Sequence, residues 1–169
     1  MCMSKTDQDL RPEGLAGEIG KKRPFDCPEQ EAFLNVIRTA DVLTTDFTRL
    51  FREHGLSMSQ YNALRIVGGM AGEGIPVRSI ADRMIVREPD ITRLIDRLEQ
   101  GSLVRRARSD SDRRVVRVFI TAAGEKALRQ LHEPVRALHR QQLGKIPRKQ
   151  LQELNQVLVA IRQSQSESS

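Results

Sequence analysis

The chain has 169 residues, enough for one domain to bury a core without disulfide or metal staples, and its formal net charge is +6. Its two cysteines, Cys2 and Cys27, exclude a disulfide framework and fit a reducing cytoplasm. No run approaches the roughly 18 apolar residues of a membrane span, and the first residues lack the apolar stretch of a secretory signal, so the expectation is a soluble cytoplasmic protein without a membrane partner.

Residues 1–27 hold Gly14, Gly17, Gly20 and the basic triplet Lys21-Lys22-Arg23 with little periodicity, and read as an extension that folds against something else. From Pro28 onward, Phe33, Val36, Ile37, Ala40, Leu43, Phe47, Leu50 and Phe51 recur at three- and four-residue steps for about six turns. That predicts a long helix, stopped by Gly55. Ser57 and Gln60 have capping-box spacing and open a second helix through Tyr61, Leu64 and Val67 to about Met70. Ile75-Pro76-Val77 is a short extended link, followed by a short helix over Arg78–Met84. Pro89 suits the first turn of the next helix, whose Ile91, Leu94, Ile95 and Leu98 share one face before Gly101 breaks the pattern.

The period then changes. Leu103–Arg108 and Val115–Ile120 are rich in β-branched and basic residues, with a turn composition over Ser109–Asp112, which predicts a β-hairpin. Thr121 is the expected N-cap of a helix carrying Leu128, Leu131, Val135 and Leu138. Pro147 opens a last helix with Leu151, Leu154, Leu158 and Ile161, and a polar tail follows. The fold class is mainly α with a small β-hairpin wing (α+β): a winged helix-turn-helix with terminal dimerisation helices. The expected organisation is an extension at 1–27, dimerisation helices at 28–56 and 122–165, a DNA-binding lobe at 57–121 and a tail at 166–169.

A DNA major groove admits one helix, which needs an apolar face to anchor it and a polar face to read bases. Glu88–Gln100 offers both, with Glu88, Asp90, Thr92, Arg93, Asp96 and Arg97 opposite the apolar stripe. The fifteen residues from Leu103 to Arg117 contain six arginines against two acids, more than solubility requires, and Arg is the favoured minor-groove probe. Five Phe, one Tyr and no Trp offer few stacking platforms for single strands, so the expected partner is double-stranded DNA. The acids Glu88 and Asp90 have two readings: one accepts from a cytosine amino group, or both stabilise the helix N-terminus.

From about residue 30 to 162 the sequence resembles the MarR family of transcriptional regulators. The resemblance is most specific over Asp90–Leu128, where the wing pattern Asp112-Arg113-Arg114 is followed by alternating aliphatics and by Thr121-Ala-Ala-Gly124. It implies that Arg114 enters the minor groove, that Asp112 buttresses it, and that Arg93 and its neighbours touch the duplex. The candidate DNA contacts are therefore Arg78, Arg87, Glu88, Asp90, Thr92, Arg93, Arg97, Arg108, Asp112, Arg113 and Arg114. The family also implies a homodimer on a palindromic operator, with recognition helices roughly 34 Å apart. One departure stands out: the family's glycine before the hydrophobic pair opening the wing is Ser102 here, which predicts a differently shaped helix end.

Family members often bind small aromatic or phenolic anions in a crevice; Phe47, Phe51, Tyr61 and Arg65 are the candidate lining, with ordinary core as the alternative. Such an effector would favour a dimer with wrongly spaced recognition helices. A peroxide-sensing branch carries its cysteine deeper in the first helix, near Ala32-Phe33 here, so Cys27 reads by default as a structural or incidental thiol. His132 and His139 share a helix face without carboxylate or thiolate partners, so no metal site or obligatory cofactor is expected. No nucleophile set or phosphate loop is legible, so an enzyme is not expected. The rival readings are a protein-interaction module that kept a winged helix without using it on DNA, and a cysteine-based redox regulator.

Overall fold

The computed structural model describes residues 14–70, 72–108 and 116–166, which form seven helices and three strands. Two compact units divide between Thr45 and Asp46. The division falls within one helix.

The first unit contains α1 (Leu15–Glu18), a helical turn inside the expected extension, and the start of α2 (Pro28–Glu53). At the head of α2 the Asp26 N–H donates to Gln30 Oε1 at 3.0 Å and the Gln30 amide returns a bond to the Asp26 carboxylate at 3.3 Å. That reciprocity pairs the Asp26 N–H, just ahead of the helix, with a side chain of its first turn. Along this part of α2 the apolar stripe lies open: Phe33 is 64% exposed, and Val36, Ile37 and Val42 are exposed as well.

The second unit takes the end of α2 and everything beyond it. Leu56 N–H bonds to Phe51 O and Gly55 N–H to Arg52 O, at 2.9 and 3.0 Å, closing α2 through a left-handed Gly55 (φ 71°) as its position predicts. Ser57 and Gln60 make both bonds of the capping box at the start of α3 (Met58–Gly68). After β1 (Ile75–Pro76) come α4 (Val77–Arg83) and α5 (Ile91–Gln100), then strands β2 (Val104–Arg108) and β3 (Val116–Ile120), and helices α6 (Ala122–Leu143) and α7 (Arg148–Ser166). Ala63, Leu64 and Val67 of α3, Ile80 of α4, and Leu94, Ile95 and Leu98 of α5 form one core with Val104, Val118 and Leu131.

Two expectations need correction. The sheet has three antiparallel strands in the order β1-β3-β2, because Ile75 and Pro76 pair with Val118 and Arg117 rather than forming a bare link. A two-residue strand ending in proline has no period to detect, and proline is tolerated there because this is an edge. Ser102 does not reshape the end of α5. It adopts φ 58° itself, and Leu103 N–H to Leu98 O at 2.9 Å with Ser102 N–H to Glu99 O at 2.8 Å reproduce the glycine-type helix stop.

The wing joins α6 at Thr121. Its hydroxyl donates to Ser102 O at 2.7 Å and accepts from Gly124 N–H at 3.1 Å, so one side chain ties the end of α5 to the start of α6. Gly124 is required by proximity: a Cβ there would stand 2.2 Å from the carbonyl oxygen of Leu103. The Thr-x-x-Gly pattern is thus the chemistry of a helix starting against a strand.

Candidate nucleic-acid interface

α5 is held on one side and open on the other. Leu94, Ile95 and Leu98 are buried, while Thr92, Arg93 and Arg97 are exposed along the opposite face. The helix begins later than its sequence predicts. Asp90 is the N-cap, with φ −127° and its carboxylate accepting from Arg93 N–H at 2.9 Å, so Pro89 precedes the cap instead of filling the first turn. Glu88 therefore lies outside the helix. Of the two readings of the acids, the helix-stabilising one describes what Asp90 does here.

The first turns of α3 and α5 share a shallow depression lined by Ser57, Ser59, Glu88, Asp90, Arg93 and Arg97, among others. Ser59 was not among the expected contacts. It is the second residue of α3, two places after the Ser57 cap, a position with no sequence signal of its own. Arg78 on α4, Arg87 in the following turn and Arg108 at the end of β2 are exposed. The wing-tip residues Asp112, Arg113 and Arg114 lie outside the described residues.

The wing arginines do not act as one set. Arg106 spans from β2 to α5: its guanidinium Nη1 donates to Asp96 and to Glu99 Oε2 (3.0 Å), Nη2 donates to Thr92 O (3.2 Å), and its backbone N–H donates to Glu99 Oε1 (2.8 Å). Asp96, expected on the open polar face, is committed to this lock. Arg117 donates from Nε to Glu73 O and from Nη2 to Gly74 O, both at 2.9 Å, binding β3 to the approach of β1. Arg105 lies 4.4 Å from the centroid of the Phe119 ring, a cation–π contact. Arg105, Arg106 and Arg117 thus have partners within the protein, and none of the three was among the expected DNA contacts.

A second feature is an apolar cavity of about 380 Å³, lined by Phe47, Phe51 and Tyr61 together with Met84–Val86 of the turn after α4 and Val135 and His139 of α6. Arg65 does not line it. That residue borders a separate depression with Gly68, Gly69, Arg129 and His132. Ile85 N–H donates to Asn62 Oδ1 at 2.9 Å, fastening the cavity-lining turn to α3. His139 packs on Phe47 at 4.7 Å, and His132 Nδ1 lies 3.1 Å from Glu133 Oε1. Among the described residues, no group of three or more His, Cys, Asp or Glu side chains could hold a metal. Cys27 is exposed; the backbone N–H of Glu29 first, and the Cys27 side chain second, hold the Glu29 carboxyl below its ordinary pKa.

Comparison with known proteins places this geometry in context. The family model described as "MarR family" matches residues 56–116, the span from α3 into the wing. The crystal structure of a MarR transcription factor from Planctomyces limnophilus is 43% identical, covering 81% of this chain and 99% of that one with a TM-score of 0.62. A MarR family transcriptional regulator from Streptomyces coelicolor, solved in complex with DNA, shares the fold at 21% identity, 84% and 90% coverage and a TM-score of 0.75. Among curated proteins, the HTH-type transcriptional regulator TtmR of Methylorubrum extorquens is 30% identical over 110 residues, 65% of this chain but only 55% of that protein's length. Among the described residues, no helix is long and apolar enough to cross a membrane.

Proposed function

Because the chain belongs to the MarR family, we propose that it is a ligand-responsive transcriptional repressor that binds a palindromic double-stranded DNA operator as a homodimer. The observation that carries this is α5. An apolar face seats it in the core, its Thr92, Arg93 and Arg97 edge is open to a groove, and Arg106 fixes the angle between it and the wing. The regulator from Streptomyces coelicolor solved with DNA has the same fold, which supports a duplex as the partner. By the family resemblance, Arg114 of the wing would enter the minor groove with Asp112 buttressing it.

The exposed apolar side chains support the dimer. Phe33 and Ile37 on α2, and Leu154, Val157 and Ile161 on α7, would stand in water on a single copy; a second copy covers such surface. The cavity supports ligand control. Its wall includes Met84–Val86, the segment leading into α5, so a small aromatic occupant bears directly on the recognition helix. Selection of duplexes from a random pool, then footprinting at several salt concentrations, tests the reading. Protected half-sites one helical turn apart and a steep salt dependence are expected. Failure to bind any duplex at low salt would instead favour the protein-interaction module.

A further inference from the structure

Resting on the reading of the apolar cavity as an effector seat, we propose that its ligand is an uncharged small aromatic molecule with a single hydrogen-bonding group, and that carboxylates are poor ligands. The volume of about 380 Å³ lies in the range of small-molecule sites. One wall is a row of rings: Phe51 and Tyr61 stack with centroids 4.2 Å apart, Phe47 follows at 5.9 Å from Phe51, and His139 lies 4.7 Å beyond Phe47. Met58 and Met84 add polarizable thioethers. Such a wall rewards another flat ring over an aliphatic chain.

Charge decides the class. The polar groups of the lining are the Ser59 and Tyr61 hydroxyls, the Asn62 carboxamide and the His139 imidazole, and no Lys, Arg, Asp or Glu joins them among the described residues. Asn62 Oδ1 already accepts from Ile85 N–H, which leaves its amide N–H groups to meet a ligand oxygen. An anion entering here loses its hydration and meets no fixed cation, whereas a neutral hydroxyl or carbonyl needs only one partner. Arg65, the cation that would have made an anion site, faces the other depression.

The experiment titrates the full chain with 2-naphthol and 2-naphthoate near neutral pH by calorimetry. The two share a ring system and differ in charge. Binding of the naphthol at least about tenfold tighter is expected; equal or tighter binding of the naphthoate overturns the proposal. Val135→Phe fills the cavity and should abolish naphthol binding, and undiminished binding in a normally folded variant overturns the location. Val86 is 67% exposed, so Val86→Arg adds a cation at the wall without disturbing the core and should narrow or invert the preference. An unchanged ratio in Val86→Arg overturns the role of charge. Duplex binding is measured with each ligand. Naphthol that binds without releasing DNA defeats the effector reading but not the ligand class. Naphthoate that is preferred and releases DNA defeats the class but not the reading, and a wild-type protein that binds neither defeats both.

Discussion

Replacing Arg106 with alanine removes the guanidinium that joins the wing to α5. The side chain is 23% exposed, and its carboxylate partners Asp96 and Glu99 are more open, so solvent screening lowers each ion pair toward the surface value of about 0.2–1 kcal/mol. Two such pairs, the bond to Thr92 O and the buried stem of the side chain together come to about 2 kcal/mol. For a chain of this size that lowers the melting temperature by about 4–8 °C. Duplex affinity should fall as well, since α5 and the wing lose their mutual angle and two uncompensated carboxylates are left beside the phosphates. Arg106 neutralises carboxylates rather than phosphates, so the slope of log affinity against log salt should hold; a true phosphate contact would lower it by about one. Arg106→Lys keeps the charge but not the fork, and should recover only part of the stability. Thermal melts and salt-titrated gel shifts on wild type, Arg106→Ala and Arg106→Lys make the test. An unshifted melt, or a slope reduced by one with stability intact, would refute the lock.

Other substitutions probe other joints. Ser102→Gly relieves a left-handed residue that costs about 1–2 kcal/mol, offset by about 0.5–1 kcal/mol of extra freedom in the unfolded chain, so chemical denaturation should show a net gain of about 0.5–1 kcal/mol. Gly124→Ala drives a methyl into the Leu103 carbonyl and should cost about 3 kcal/mol or more in the same assay. Arg93→Ala and Arg97→Ala, both exposed, should leave stability within about 0.5 kcal/mol while weakening duplex binding and lowering the salt slope by about one each. Arg114→Ala should weaken duplex binding by about 1–3 kcal/mol and leave the oligomeric state, read by light scattering, unchanged.

Local chemistry determined much of this protein from the sequence alone. The long α2, the capping box at Ser57 and Gln60, the apolar stripe of α5, the change of period at Leu103 and the Thr121 cap all depend on groups within a few residues of each other, so their patterns can be read along the chain. What only the tertiary structure decided are the joints between distant segments: the strand at Ile75–Pro76, the grip of Arg117 on carbonyls 43 and 44 residues away, and the choice of Arg106 rather than its neighbours as the lock. The cavity belongs to the same class, since Phe47, Tyr61, Val86 and Val135 have no local reason to meet. The arginines of one hairpin look alike in sequence because a guanidinium carries the same charge everywhere. Whether it holds a carboxylate, caps a carbonyl or waits for a phosphate depends on what packing brings within reach.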